Sequence, residues 1–125
     1  LVGSEMCIRD SFGKTSINED AGMIDGFGNK MFAFMTNIFF GGKLTDSLNC
    51  SRLFTRKAIL EINLSELSLC AVEQISARGL KRKQRIYEIV GNERARVGGE
   101  RKMRPLITGA QLSRQIIKEF IFWNK

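Results

Sequence analysis

Several residue types that build common active sites are absent or scarce in this 125-residue sequence. It contains no His, which excludes catalysis by a His base and metal binding by imidazole within the chain. Its three Cys, at positions 7, 50 and 70, are too far apart for a zinc site or a disulfide framework, so we expect reduced thiols. No apolar run approaches the roughly 18 residues that cross a bilayer as a helix.

Apolar residues are abundant enough for a packed core. Hydrophobic residues make up 43% of the chain and nine of them are Phe, which argues against disorder throughout. The length allows one domain or a piece of a larger one.

The positive charge is concentrated in one region. Between Arg78 and Arg104 the sequence has ten Lys or Arg against three Glu, which accounts for the whole net charge of +7. Such a region suggests an anionic partner: nucleic acid, an acidic membrane surface or a phosphorylated small molecule.

The first eleven residues differ in character from those that follow. There is no initiator Met, and residues 2–11 read like the translated adapter peptide found at the ends of metagenomic reading frames. The alternative is a genuine irregular N-terminal segment. We interpret residues 1–11 as non-native, leave them out of the fold prediction, and expect residues 12–125 to be part of a longer domain.

The apolar spacing predicts three main helices, at about 29–40, 65–78 and 108–122. Gly41-Gly42 should end the first helix and Gly79 the second, and Ser65 should cap the second. The Met and Phe residues of the first helix are predicted to be core. On the third helix, the apolar residues recurring on one side are Leu112, Ile116, Phe120 and Trp123.

Shorter elements lie between these helices. Residues 51–56 are predicted to be extended, and 57–62 to form one or two helical turns. Residues 85–90 alternate polar and apolar, which is typical of a half-buried strand.

A basic loop at residues 93–102 follows this strand directly. It is built around the pair Gly98-Gly99, which permits a tight turn and close approach to a ligand. Arginine forks, a lysine charge and exposed backbone N–H groups are what a phosphate or diphosphate requires. The alternative is an ordinary solvated turn.

Taken in order, these motifs resemble the C-terminal half of a family 2 glycosyltransferase, in the branch that includes dolichyl-phosphate mannosyltransferase. The loop is similar to that family's Arg-x-Gly-Gly-Glu-Ser/Arg-Lys motif. The other matching positions are Gly28-Asn29-Lys30, residues 40–46 ending in Thr45-Asp46, Arg52, Arg56, Glu73, and the strand residues Ile86–Ile89.

The resemblance implies an α/β fold: the acceptor-side half of a GT-A-type nucleotide-diphospho-sugar transferase, with few strands and about three main helices. It implies inverting transfer of a sugar from a nucleotide-diphospho-sugar to a polyprenyl phosphate or glycan. The setting would be cell-envelope glycan synthesis on the cytoplasmic side, at the inner face of the membrane, with peripheral membrane contact. No nucleic acid is expected as a partner.

The resemblance also implies roles for individual residues. Asp46 matches the family's Thr-Asp and would be the catalytic base, and Arg52 and Arg56 would hold the acceptor. The donor diphosphate would lie under a lid loop that contains Arg96, Gly98, Gly99, Arg101 and Lys102.

The longer parent would use a divalent metal, Mg or Mn, held by an Asp-x-Asp. This chain has no Asp-x-Asp, so we expect no metal on the fragment and no activity from the fragment alone.

Other interpretations stay open. Asp46 could cap a turn, Arg52 and Arg56 could be surface ion-pair partners, and Glu73 could be an exposed helix charge. The whole chain could instead be a small basic module that binds nucleic acid by its phosphates, or an amphipathic protein whose last helix lies on a membrane.

Overall fold

The computed structural model describes residues 3–10, 23–92 and 104–123. Three strands and four helices occur in these ranges. In chain order they are β1 (Met6–Asp10), α1 (Met23–Phe40), β2 (Arg52–Phe54), α2 (Arg56–Ile62), α3 (Ser68–Lys81), β3 (Ile86–Val90) and α4 (Pro105–Phe122). The predicted mixed α/β class is confirmed at this level.

The three strands form one mixed sheet in the order β2-β1-β3. β1 runs antiparallel to β2 and parallel to β3, with Met6 opposite Phe54 on one side and Ile86 on the other. Because side chains alternate along a strand, Met6 and Ile8 share one face, and both are fully buried. That face packs against α2 and α3 through Ile62 and Ile75.

The opposite face of the sheet carries exposed apolar side chains on its two outer strands. Leu53, Tyr87 and Ile89 are exposed there, whereas Cys7 of the central strand is buried.

The central strand comes from the segment that the sequence interpretation left out of the fold. Residues 6–10 pair with a strand on each side, and three of them, Met6, Cys7 and Ile8, are fully or nearly fully buried core side chains. Their origin as non-native sequence stays a prediction, but their place in this fold is the middle of the sheet.

A second core lies between the three long helices. Phe32 and Phe40 of α1, Ala77 of α3, and Leu112 and Ile116 of α4 form it. Of the four apolar residues expected on one side of this helix, Leu112 and Ile116 are buried and Phe120 is 47% exposed, and α4 begins at Pro105 rather than at Thr108. None of the helices in the described ranges has the length and apolarity needed to cross a bilayer.

Two predictions about the ends of α3 are wrong. The helix continues through Gly79 to Lys81, and Gly79 serves packing instead of ending the helix: a Cβ there would lie 2.8 Å from Met6 Cε of β1. Ser65 does not cap the helix; the residue at the cap position is Leu67, and Ser65 instead pairs with the Gln74 side chain.

The prediction that the Met and Phe stripe of α1 is core is also wrong in part. Phe34 and Ile38 are 64% and 63% exposed, whereas the buried side is formed by Phe32, Thr36 and Phe40. Apolar residues occur on both sides of this helix, so its spacing alone could not identify the buried side.

Candidate functional site

A polar cluster lies between the sheet, α1 and α3, and we call it the Arg52 cluster. Its charged members are Asp46, Arg52, Glu73 and Glu88, and the hydroxyls of Thr36, Thr45 and Ser47 complete it. These residues come from five separate segments of the chain. All four charged positions belong to motifs on which the family resemblance depends.

Glu88 holds the backbone at Thr45 and Asp46. Its Oε1 accepts the N–H of Thr45 at 2.9 Å and the N–H of Asp46 at 3.0 Å. The Thr45 hydroxyl lies 2.7 Å from Asp10 Oδ2 and 3.1 Å from Glu88 Oε2, so it can donate to either carboxylate. Partial burial raises the pKa of Glu88, with Asp10 adding to the increase, while the three hydrogen bonds oppose it.

Asp46 is buried, with 1% of its surface exposed. Its Oδ1 accepts the Asn29 side-chain amide and the Leu48 backbone N–H, each at 3.2 Å. The bond to Leu48 two residues ahead is an Asx turn, which is the turn-forming role left open for this residue. In this arrangement a hydroxyl acceptor does not reach Asp46 from solvent, and its role as a base stays a prediction.

Arg52 lies inside the cluster and is held by backbone carbonyls. Its Nε donates to Asn49 O at 2.7 Å and its Nη2 to Ser47 O at 2.5 Å. Burial lowers the pKa of Arg52 to about 10, and the nearby carboxylates, Glu73 first, oppose that decrease. Arg52 therefore stays charged at neutral pH and organises this turn.

Glu73 is fully buried in α3 and is not the exposed helix charge that the sequence allowed. Its Oε1 accepts the Thr36 hydroxyl at 2.5 Å, and its Oε2 has no hydrogen-bond partner. Burial raises the pKa of Glu73 to about 7, against the lowering effects of the Thr36 and Ser47 hydroxyls and of Arg52.

The remaining predicted site residues lie elsewhere. Arg56 is exposed at the first position of α2 and does not join the cluster. The lid-loop residues Arg96, Gly98, Gly99, Arg101 and Lys102 lie outside the described residues.

Sequence reasoning missed two hydroxyl residues of the cluster, Thr36 and Ser47, whereas Thr45 belongs to the matched Thr45-Asp46 motif. Thr36 had one available signal: it is a polar residue within a helix otherwise rich in Phe and Met. A buried hydroxyl needs a hydrogen-bond partner, and here two acceptors are within reach: the Phe32 carbonyl of the same helix at 2.8 Å and Glu73 Oε1 at 2.5 Å.

The carboxylates of the cluster do not fit a metal site. The Glu88 oxygens are occupied by N–H donors, and in residues 3–10, 23–92 and 104–123 no group of three acidic or thiol side chains could hold an ion.

Comparison of the chain with protein-family models, with curated proteins and with solved structures gives no match, so the family resemblance stays a prediction from the motifs.

Proposed function

We propose that this chain is the acceptor-side part of an inverting glycosyltransferase of family 2 that transfers a sugar from a nucleotide-diphospho-sugar to a polyprenyl phosphate. One observation supports this most strongly. Asp46, Arg52, Glu73 and Glu88 are weak motif matches when taken singly, yet they meet in one cluster although up to 42 residues separate them in sequence.

The burial of Asp46 favours a phosphate acceptor over a glycan hydroxyl. A hydroxyl must lose a proton to a base within hydrogen-bond reach, and Asp46 is 1% exposed. A polyprenyl phosphate is already an anion and needs only a cation to hold it. Arg52 is engaged by backbone carbonyls, which leaves the exposed Arg56 as the better candidate for that contact.

The donor side of the proposal depends on the basic loop at 93–102. As the bond from sugar to phosphate breaks, negative charge builds up on the leaving diphosphate. Cations such as Arg96 and Lys102 would then stabilise the transition state more than the ground state. A divalent metal in the longer parent would supply further positive charge at the diphosphate.

Steady-state kinetics of the longer parent tests this role of the loop. Arg96→Ala and Lys102→Ala should each lower kcat by roughly a hundredfold, or about 3 kcal/mol, with a smaller change in acceptor KM. Gly99→Val should cause a similar loss, because a β-branched residue resists the conformations of a glycine pair. Lys57→Ala, at an exposed site on α2, is the control. A kcat within about twofold of the wild type in all three loop variants would reject the role.

The chain itself can be tested against the nucleic-acid alternative. We expect it to bind a short-chain polyprenyl phosphate or a nucleoside diphosphate more tightly than random duplex DNA of equal phosphate concentration. Fluorescence anisotropy at two salt concentrations compares these ligands. Binding to DNA alone, falling steeply with salt, would favour the nucleic-acid module.

A specific surface also supports membrane contact as a second property. Phe27, Met31, Phe34 and Ile38 are exposed at successive turns along one side of α1. α4 packs beside it through the edge-on contact of Phe39 with Phe120, whose ring centres are 5.1 Å apart. We call this the α1/α4 surface.

The second half of this surface is on α4. Its exposed apolar residues are Leu106, Ile107, Ile117, Ile121 and Phe122. The exposed charged side chains described on the two helices are Lys30, Arg114 and Lys118, of which Lys118 is paired with Glu66. An apolar surface edged by basic groups suits an anionic lipid surface, on which the helices would lie without crossing it.

Vesicle sedimentation tests the α1/α4 surface. The chain should sediment with vesicles containing phosphatidylserine and much less with neutral vesicles. The double variant Phe34→Glu, Ile38→Glu should lose this binding, whereas Leu60→Glu, at an equally exposed site on α2, should keep it. Equal sedimentation of all three proteins, or none by the wild type, would reject the proposal.

A further inference from the structure

We propose that Glu73 is a proton-dependent positioning group, which holds the turn at residues 44–51 in one arrangement when it is ionised and in another when it is protonated. The turn carries Asp46 and is tied to Arg52. This inference concerns the folded chain itself and does not depend on the proposed transfer reaction.

The first observation is the incomplete hydrogen bonding of two buried oxygens. Glu73 Oε2 and Ser47 Oγ are both buried and both lack a hydrogen-bond partner. The Ser47 hydroxyl is close enough to influence Glu73, but its present geometry is not that of a hydrogen bond. A proton on Oε2 would convert this oxygen into a donor and Ser47 Oγ into its acceptor.

The second observation is that Ser47 connects Glu73 to the rest of the turn. The Ser47 carbonyl accepts the Ser76 hydroxyl of α3 at 2.8 Å and Arg52 Nη2 at 2.5 Å. A change at the Ser47 side chain is therefore transmitted to Arg52 and to the adjacent Asp46. Thr36 fixes the other carboxyl oxygen of Glu73 to α1, so this helix takes part as well.

The third observation is an imbalance of charge around Glu73. The positive group that faces it is Arg52 of β2, and that guanidinium is shared with Asp46 and with Glu88 of β3. On its own helix, Cys70 lies within electrostatic range of Glu73. From α1 and the turn, the Thr36 and Ser47 hydroxyls face Glu73, and the turn also carries Asp46, which interacts with the same Arg52.

These conditions favour a protonated carboxyl. Burial of an ionised carboxylate is costly unless the charge is paired and hydrogen-bonded, and here Oε2 has no hydrogen-bond partner and the facing cation, Arg52, is shared with two other carboxylates. Burial accordingly raises the pKa of Glu73 from 4.5 to about 7, so both forms are populated near neutral pH.

An NMR titration of the whole chain, with ¹³C label at the Glu carboxyls, tests the switch. One carboxyl resonance should titrate with a midpoint near pH 7 and should be missing in Glu73→Gln. The amide resonances of Ser47 and Leu48 should shift with the same midpoint in the wild type and not in the variant. Glu61→Gln, at the surface of α2, is the control and should keep the transition.

Stability against pH gives an independent readout. Between pH 4.5 and about 7, Glu73 is protonated in the folded state but ionised in the unfolded state. The free energy of unfolding should therefore fall as the pH rises through this window and level off above it. From the lower to the upper end of this window, the unfolding equilibrium constant of the wild type should rise by roughly two orders of magnitude more than that of Glu73→Gln.

If the free energy of unfolding has the same pH dependence in the wild type and in Glu73→Gln, the proposal is overturned. A titration midpoint of Glu73 near pH 4.5 would overturn it as well. So would a titration near 7 without a shift at Ser47 or Leu48. If Glu73→Gln does not fold, the titration of the wild type decides alone.

Discussion

At the scale of single residues, the best-satisfied charged contact is the pair Arg78–Glu119 between α3 and α4. Arg78 Nε lies 2.7 Å from Glu119 Oε2, and both side chains are buried. The other Glu119 oxygen accepts the side-chain amides of Gln74 and Gln115, and Arg78 also donates to the carbonyls of Ile62 and Asn63. Arg78 and Glu119 therefore each have an opposite charge and further hydrogen-bond partners where they are buried.

Removing one partner of this pair should be costly. Glu119→Gln leaves the Arg78 charge buried without its counter-charge, and we expect a loss of about 3–5 kcal/mol in the free energy of unfolding. Glu66→Gln is the matched control, because its partner Lys118 is half-exposed and such pairs contribute about 1 kcal/mol or less. Urea unfolding measures both. Equal losses in the two variants would show that burial does not determine the cost.

At the scale of secondary-structure elements, the end of α1 positions the turn that carries Asp46. The Asn37 side chain donates to Leu44 O and accepts the Leu44 N–H, each at 2.8 Å. Gly42 packs against this side chain and against Leu80 of α3. Gly42, in the glycine pair predicted to end α1, thus also lets the end of α1 approach Leu80 of α3 closely.

Gly42→Ala should destabilise this junction. The added Cβ would lie 2.5 and 2.8 Å from the Leu80 methyl groups and 2.9 Å from Asn37 Oδ1. Leu80 packs against both cores and Asn37 is held by two hydrogen bonds, so neither can move freely, and we expect a loss of about 1–3 kcal/mol.

Gly28→Ala is the matched control for that substitution. It lies in α1 with no atom within 4 Å of the new Cβ, and Ala favours a helix over Gly by about 1 kcal/mol. In thermal unfolding, Gly42→Ala should therefore lower the melting temperature and Gly28→Ala should raise it. A stabilised Gly42→Ala would mean that α1 and α3 are less closely packed than their contacts indicate.

At the scale of the whole molecule, the fold depends on β1. This strand pairs on both sides, and its inward residues Met6 and Ile8 join the core between the sheet, α2 and α3. Without β1, neither β2 nor β3 has a partner among the described strands. The segment interpreted as non-native is thus the one that makes the sheet continuous.

Ile8→Ala measures this dependence. Truncating a fully buried Ile should lower the free energy of unfolding by about 2–5 kcal/mol. Leu53→Ala, at an exposed site on the neighbouring strand, should change it by less than about 1 kcal/mol. An Ile8→Ala protein as stable as the wild type would mean that β1 is not part of the cooperative fold.

Much of the secondary structure was predictable because it follows local rules. Apolar spacing identified α1, α4 and the alternating strand β3, and paired glycines identified the end of α1. The motif match identified Asp46 and Arg52, which the fold brings together in the Arg52 cluster.

The sequence by itself therefore determined that the three long helices and β3 form, whereas only the tertiary structure decided that β1 joins the sheet and which faces of the elements are buried. α1 is apolar on both sides, and its buried side is the one on which Phe32 and Phe40 pack against α3 and α4 and Thr36 meets Glu73, 37 residues away. Gly79 lies inside α3 rather than after its end, and Met6 packs where its side chain would be. Periodicity is a local property, but burial, and with it the pKa of Glu73, depends on contacts between distant segments.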